Sequence, residues 1–335
     1  MTVGGVAARA GRLALVLALA GAAWPLGATE QDVHGWLHKM TEAARTLNYE
    51  GTFVYRHQEG VEAVSIVHRF AHGREQERIV HLNGAPREVL RDEDGVTCIL
   101  PDDHSVVVGG GDAPDPLALD FGPENLPRIQ SSYRFSLGGV ERVTSRSAQR
   151  ISIQPLDEFR YGYELWVDRD SHLLLRADLT DATGSALEQM MFVTLSLPDS
   201  IPERALEPTI GVKGWKWYEE DAEQKAAPTA QSSAWQVAWL PPGFRATSQG
   251  VRQLQRITVP VEYLGFSDGL ASLSVFVELA GNQTAMAPTV RSMGAVHAYS
   301  GVVDGHRVTV MGEVPVVTVE RVAASVRQVR EGRHD

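Results

Sequence analysis

The hydrophobic positions fall first at helical spacing. Val33, Trp36, Leu37, Met40, Ala44 and Leu47 share one face of a helix predicted over residues 31–47, and Asn48 can end it. From Tyr49 the period drops to two: Tyr49, Gly51, Phe53 and Tyr55 alternate with polar or small residues, as in a half-buried strand. Further strands are expected at 64–66, 79–82, 88–90 and 96–100, with Asn83-Gly84 as a turn and Asp92-Glu93-Asp94-Gly95 as a hairpin loop. The alternation continues through 133–137, 151–153, 161–167, 173–176 and 190–197. Together these give an antiparallel meander of about ten strands behind one helix. Residues 109–127 (GGGDAPDPLALDFGPENLP) are too irregular for a strand and read as a loop.

Residues 219–234 carry acid, Ala, Pro, Gln and Ser with almost no large apolar side chains, the composition of an exposed linker. The period-two pattern then resumes at 235–240, 259–263, 273–279, 295–301 and 306–311. Behind Pro315 the spacing turns helical again: Val319, Val322, Ala323, Val326 and Val329. The expected fold class is α+β, mainly antiparallel β. The expected division is a domain over 29–211, a linker over 212–234, and a small α/β domain over 235–330 formed by an antiparallel sheet with a terminal helix.

Residues 1–28 change the picture of where this chain works. Arg9 and Arg12 precede an apolar run, Leu13 to Ala23, and Ala20-Gly21-Ala22 is a small-residue cleavage pattern. A membrane span needs roughly 20 apolar residues, so the run reads as a cleaved export signal and the mature protein is expected in the periplasm. The chain has 335 residues, one cysteine and a formal charge of -11. One cysteine excludes an internal disulfide and a Cys-rich metal site. Cys98 lies in a strand pattern and is expected to be a buried, inert thiol. The charge is uneven: residues 29–211 hold 17 Lys+Arg against 30 Asp+Glu, while 232–335 hold 9 against 8. The acidity argues against nucleic acid as a partner, since that needs a dense basic surface.

No motif assembles a catalytic set. Gly265-Phe266-Ser267-Asp268-Gly269 matches G-x-S-x-G, but a nucleophile elbow needs a helix after it, and here Leu273, Val275 and Val277 alternate as in a strand. The stretch is read as a hairpin turn. His34 and His38 share a helix face without the Glu that a zincin needs. No metal, no cofactor and no enzymatic activity are expected. What remains is aromatic surface on a curving sheet. Phe53 and Tyr55 share one strand face, Tyr133 and Phe135 another, Tyr163 and Leu165 a third. These six are the candidate lining of an apolar cavity suited to an acyl chain. A fully packed core is the alternative.

Seven stretches resemble one family in order: 48–55 (NYEGTFVY), 82–92 (LNGAPREVLRD), 96–102 (VTCILPD), 159–168 (FRYGYELWVD), 239–244 (WLPPGF), 263–278 (YLGFSDGLASLSVFVE) and 309–315 (TVMGEVP). The chain is similar to the MucB/RseB family, periplasmic negative regulators of the envelope-stress sigma factor. The resemblance implies an unclosed β-barrel wrapped on helices, like the lipoprotein carriers of the Lol system, followed by a small domain. It implies binding to the periplasmic segment of an inner-membrane anti-sigma factor of RseA/MucA type, which it shields from regulated proteolysis. It further implies release linked to lipid, lipopolysaccharide or lipoprotein acyl chains. Tyr263 and Phe266 are candidate partner contacts in the small domain. The runner-up function is a lipid or lipoprotein carrier.

Overall fold

The structure, a computed structural model, describes residues 30–58, 60–109, 119–219, 234–252, 261–280 and 287–329. The expected signal segment 1–28, residues 110–118 of the expected loop at 109–127 and most of the expected linker lie outside them. The leading helix α1 spans Glu30–Thr46. Its buried stripe is Val33, Leu37, Met40 and Ala43, one face at 3.6-residue spacing. Each large side chain so buried contributes about 1.5–3 kcal/mol.

Behind α1 the chain forms a meander: β1 (Tyr49–His57), β2 (Gly60–Ala71), β3 (Arg74–His81), β4 (Glu88–Asp92), β5 (Gly95–Leu100) and β6 (Ser105–Gly109). A short helix α2 (Leu126–Gln130) follows. Then come β7 (Tyr133–Val143), β8 (Arg146–Pro155), β9 (Gly162–Asp168), β10 (Leu174–Thr180) and β11 (Ala186–Ser196). β11 pairs antiparallel with β1, which joins the two runs into one sheet. Its order is β12-β6-β5-β4-β3-β2-β1-β11-β10-β9-β8-β7, and the two edges do not pair. The barrel is therefore unclosed, as expected. α1 packs across β7 and β2 and fills part of the concave side.

The sheet has two members that the hydrophobic pattern did not mark. β6 reads as a plain valine run. β12 (Lys216–Glu219) comes from the segment expected to be linker and pairs in parallel with β6. All four of its residues are exposed, so it has no buried face to alternate with.

The second sheet has the order β14-β15-β16-β19-β18-β17. Its strands are β14 (Arg245–Arg252), β15 (Val261–Ser267), β16 (Ser272–Leu279), β17 (Thr289–Met293), β18 (Val296–Val303) and β19 (His306–Gly312). Helix α3 (Val316–Ser325) buries Val319, Val322 and Ala323 against it. The helical spacing predicted through Val329 overruns the helix. Val326 leaves the helix for extended backbone at φ -67°, ψ 132°. There β20 (Val326–Gln328) pairs with β13 (Trp235–Val237) as a separate two-stranded ribbon. A β-branched residue serves either state, and the available partner strand decides.

Candidate functional site

A cavity of about 750 Å³ opens on the concave side of the large sheet. Its floor is one row of directly paired residues: Ile79 faces Val89, Val89 faces Cys98, and Cys98 faces Val107. Beside that row lie Phe53, directly opposite Val64 of β2, and Met190, directly opposite Tyr55. The small sheet contributes Leu270 and Glu313 to the wall. The cavity is thus complete only with both sheets in place. Its size and mostly apolar floor suit a small-molecule or acyl ligand.

Of the six residues expected to line such a cavity, Phe53, Tyr55 and Tyr163 stand on its wall. Tyr133, Phe135 and Leu165 do not. They are buried in the core shared with α1 and α2, where Phe135 packs edge-on to both His34 and Phe121. Covering by the two helices removes that part of the concave face. Cys98 is half-buried rather than buried, and its side chain lines the cavity. Phe266 is 8% exposed, inside the core of the small sheet, so it offers no ready contact. Tyr263 is half-buried, with its ring 5.3 Å from that of Phe276.

The polar groups of the cavity gather at the strand ends. Glu188 follows the inward alternation of β11 with Met190 and Phe192, all three buried. Its Oε2 accepts from the Tyr55 hydroxyl, and its Oε1 accepts the Ala295 amide at 2.9 Å. Gly294 holds φ +60°, and a Cβ there would stand 2.6 Å from Oε1, so a larger residue would strain the turn and push the Glu188 carboxylate aside. Glu313 accepts from the Tyr163 hydroxyl. Burial, with Glu188 as a nearby like charge, pushes the Glu313 carboxyl up to about 7. Burial and then the bond to Glu188 push the Tyr55 hydroxyl far above its ordinary value. Burial lowers His81 below its usual range, although Glu62 opposes the shift.

Below the cavity, the seam between the sheets is held by one buried carboxylate. Asp268 is the residue after the serine of the G-x-S-x-G stretch, and it sits in the β15–β16 turn with Gly269 at φ +109°. Its Oδ1 accepts the Leu270 and Ala271 amides at 2.9 and 2.8 Å. Its Oδ2 accepts from Arg160 at 2.5 Å and from the Tyr133 hydroxyl at 3.1 Å. Arg160 also donates to Asp157 and to the Pro242 carbonyl at 2.6 Å. Arg128 of α2 reaches the Ser267 and Asp268 carbonyls, and Thr318 Oγ1 donates to Phe159 O at 2.8 Å. Arg321 of α3 stacks over Trp239 and Phe159. A strand follows the G-x-S-x-G turn, and the motif serves as a clasp.

Sequence reasoning missed Glu188, Glu313, Arg160 and Asp268. A readable signal existed for Glu188, a carboxyl on the inward face of an otherwise apolar strand. For the others the partner lies far along the chain. His34 meets Gln130, while His38 is exposed. Among the described residues no group of three His, Cys, Asp or Glu stands ready to hold a metal ion, and no helix is long and apolar enough to cross a membrane.

Several of the segments meeting at the cavity and seam belong to the stretches singled out in the sequence: 82–92 at the rim, 159–168 and 239–244 at the clasp, 263–278 at the turn, 309–315 at Glu313. The profile of the MucB/RseB N-terminal domain matches residues 32–210, and that of the MucB/RseB C-terminal domain matches 229–327. The Pseudomonas aeruginosa sigma factor AlgU regulatory protein MucB is 33% identical over 331 residues, covering 94% of this chain and 98% of that protein. The Escherichia coli K12 sigma-E factor regulatory protein RseB is 27% identical, covering 87% and 89%. A crystal structure of MucB in complex with MucA(peri) superposes with a TM-score of 0.71 at 31% identity, over 90% of this chain and all of that one. With both domain profiles matched in order and the relatives aligned nearly end to end, the chain belongs to the MucB/RseB family.

Proposed function

We propose that this protein is a periplasmic negative regulator of an envelope-stress sigma factor. It binds the periplasmic segment of a membrane anti-sigma factor, shields that segment from regulated proteolysis, and releases it when a lipid occupies the cavity. The observation that carries the reading is the likeness over 90% of the chain to MucB captured in complex with MucA(peri). The names of the relatives, sigma factor regulatory proteins, agree with it. The cavity supplies a place for the lipid, with Phe53, Tyr55 and Tyr163 on its wall. Because Leu270 and Glu313 close it from the small sheet, an occupant touches both sheets and can shift their relation. Such a shift requires only that the ligand favour one arrangement over the other.

The test pairs a reporter with a binding measurement. Deleting the gene should raise sigma-dependent transcription under an inducing stress, and the purified protein should retain the periplasmic segment of its cognate anti-sigma factor. A reporter indifferent to the deletion under every envelope stress, with no retention, would remove the reading. The cavity also favours a second reading, a lipid carrier. That reading expects transfer of a labelled lipid between vesicles, with no effect on the reporter.

A further inference from the structure

The polar end of the cavity is not balanced in charge. Tyr55 faces Glu62 on β2 and Met190 on β11, and Glu188 lies two residues before Met190 on the same face. His81 stands opposite Val64, next to that row, and its amide donates to the Arg87 carbonyl. The lining thus holds three carboxyls, Glu62, Glu188 and Glu313, against one guanidinium, Arg87. Burial lowers His81, which weakens it as a source of positive charge. With Glu313 ionised, as it is well above pH 7, three negative charges face one positive. Arg87 stands exposed at the rim. Glu62 is flanked by His57 and His81 at 3.5 and 3.3 Å.

Among the described residues, the donors that reach Glu188 and Glu313 are neutral. Tyr55 comes from β1, Tyr163 from β9, and the Ala295 amide from the β17–β18 turn. Tyr161 packs beside them from the β8–β9 connection, with its hydroxyl pushed up to about 12 by burial and then by Glu313, Asp181 and Glu188. His297 of β18 lies with Nδ1 2.9 Å from Val314 O and 3.4 Å from the Tyr161 hydroxyl. The side chains that act on Glu313 are Glu188 and Tyr163, with no lysine or arginine among them. Two like charges sharing a desolvated wall repel. A cation placed between them removes that repulsion and makes charge-assisted hydrogen bonds.

We propose that the cavity takes a long-chain amphiphile whose head carries an amine, with its ammonium seated at Glu188 and Glu313 and its chain along the Phe53–Val64–Val89–Cys98 floor. This rests on the reading of the cavity as a lipid site and names the head group that the site selects. A carboxylate head adds a negative charge to the same wall and is rejected. The ammonium bridges a residue of the large sheet to one of the small sheet, so occupancy acts across the seam.

The experiment is competition at pH 8 against a neutral naphthylamine probe bound to the full mature chain. The competitors are dodecylamine and dodecanoate, both below their micelle concentrations. Dodecylamine should displace the probe at least tenfold more effectively than dodecanoate. Glu313→Gln, which keeps a hydrogen-bond partner for Tyr163, and Glu188→Gln should each bring the two competitors towards parity. Equal or better displacement by dodecanoate, or a preference unchanged in both variants, overturns the head-group assignment and leaves the cavity reading standing. A protein that takes up neither the probe nor either amphiphile overturns the cavity reading, and the inference with it.

Discussion

Arg160 and Asp268 form an ion pair whose two side chains are both 0% exposed, although one belongs to the large sheet and the other to the small one. Neither charge can turn to water when its partner is lost. Removing one partner of such a pair costs about 3–5 kcal/mol, because the survivor stays buried. Asp268→Ala should therefore lower the unfolding free energy by about that amount, more than the ~0–1 kcal/mol of an exposed pair. Denaturant titration of the wild type, Asp268→Ala and Arg160→Ala checks it. A loss below about 1 kcal/mol in both would mean that the seam opens freely to solvent.

The fit of Gly243 to the large sheet gives a second test. Its φ is +86°, and an added Cβ would run into the Ser132 hydroxyl. Gly243→Ala should destabilise by about 1–3 kcal/mol through strain and clash together. Combining it with Ser132→Ala removes the clash and leaves the backbone strain, so the two changes should be non-additive by about 0.5 kcal/mol or more. Strict additivity in a double-mutant cycle would mean that the two residues do not touch.

Glu313 makes stability depend on pH. Its carboxyl titrates at about 7 in the folded chain against 4.5 ordinarily. Between those values the native state binds the extra proton, so the contribution is fully present below 4.5 and is lost as pH rises through about 7. Each pH unit separating the folded from the unfolded value corresponds to about 1.4 kcal/mol of stability. The melting temperature of the wild type, measured against Glu313→Gln, should fall from pH 5 to pH 8. Parallel pH profiles for the two proteins would refute the coupling.

Cys98 is the only thiol in the chain and stands on the cavity floor. A bulky maleimide attached there should block an acyl probe, and a bound probe should slow the labelling. Labelled protein that binds the probe as well as before would put the ligand elsewhere.

We expect residues 220–233 to be the first cleaved by a Glu-specific protease, because the sequence there offers nothing to bury. Fragments ending at about 219 and starting at about 234 would support the division into two domains. First cleavage within 109–127 would count against it.

The legible parts of this fold were those with one wet and one dry side. The stripe of α1, the alternation of β1 and β9, and the hairpin at 92–95 all announce themselves, because local spacing alone decides them. β12 was invisible because all four residues are exposed. β20 was misread as helix because Val326 continues the spacing of Val319 and Val322. The cavity was half legible: alternation told which residues share a face, not which faces the helices cover. Tyr133 and Phe135 were therefore assigned to a wall that α1 and α2 fill. The clasp was beyond local reading, since Arg160 and Asp268 are 108 residues apart. A motif expected to be a simple turn carried the charge that fastens it.

The parallel pairing of β12 with β6 fixes where the chain leaves the large sheet. Only fourteen residues, 220–233, separate Glu219 from the first described residue of the small unit, Ala234. Fully stretched, they span about 50 Å, at roughly 3.3–3.6 Å per residue. Whatever parts the two sheets, neither can diffuse away from the other, so release and re-docking at the seam form a unimolecular equilibrium. The fraction of molecules open is then independent of the protein's own concentration. A ligand or a partner can move that fraction, while a change in the number of copies of the protein leaves it where it was.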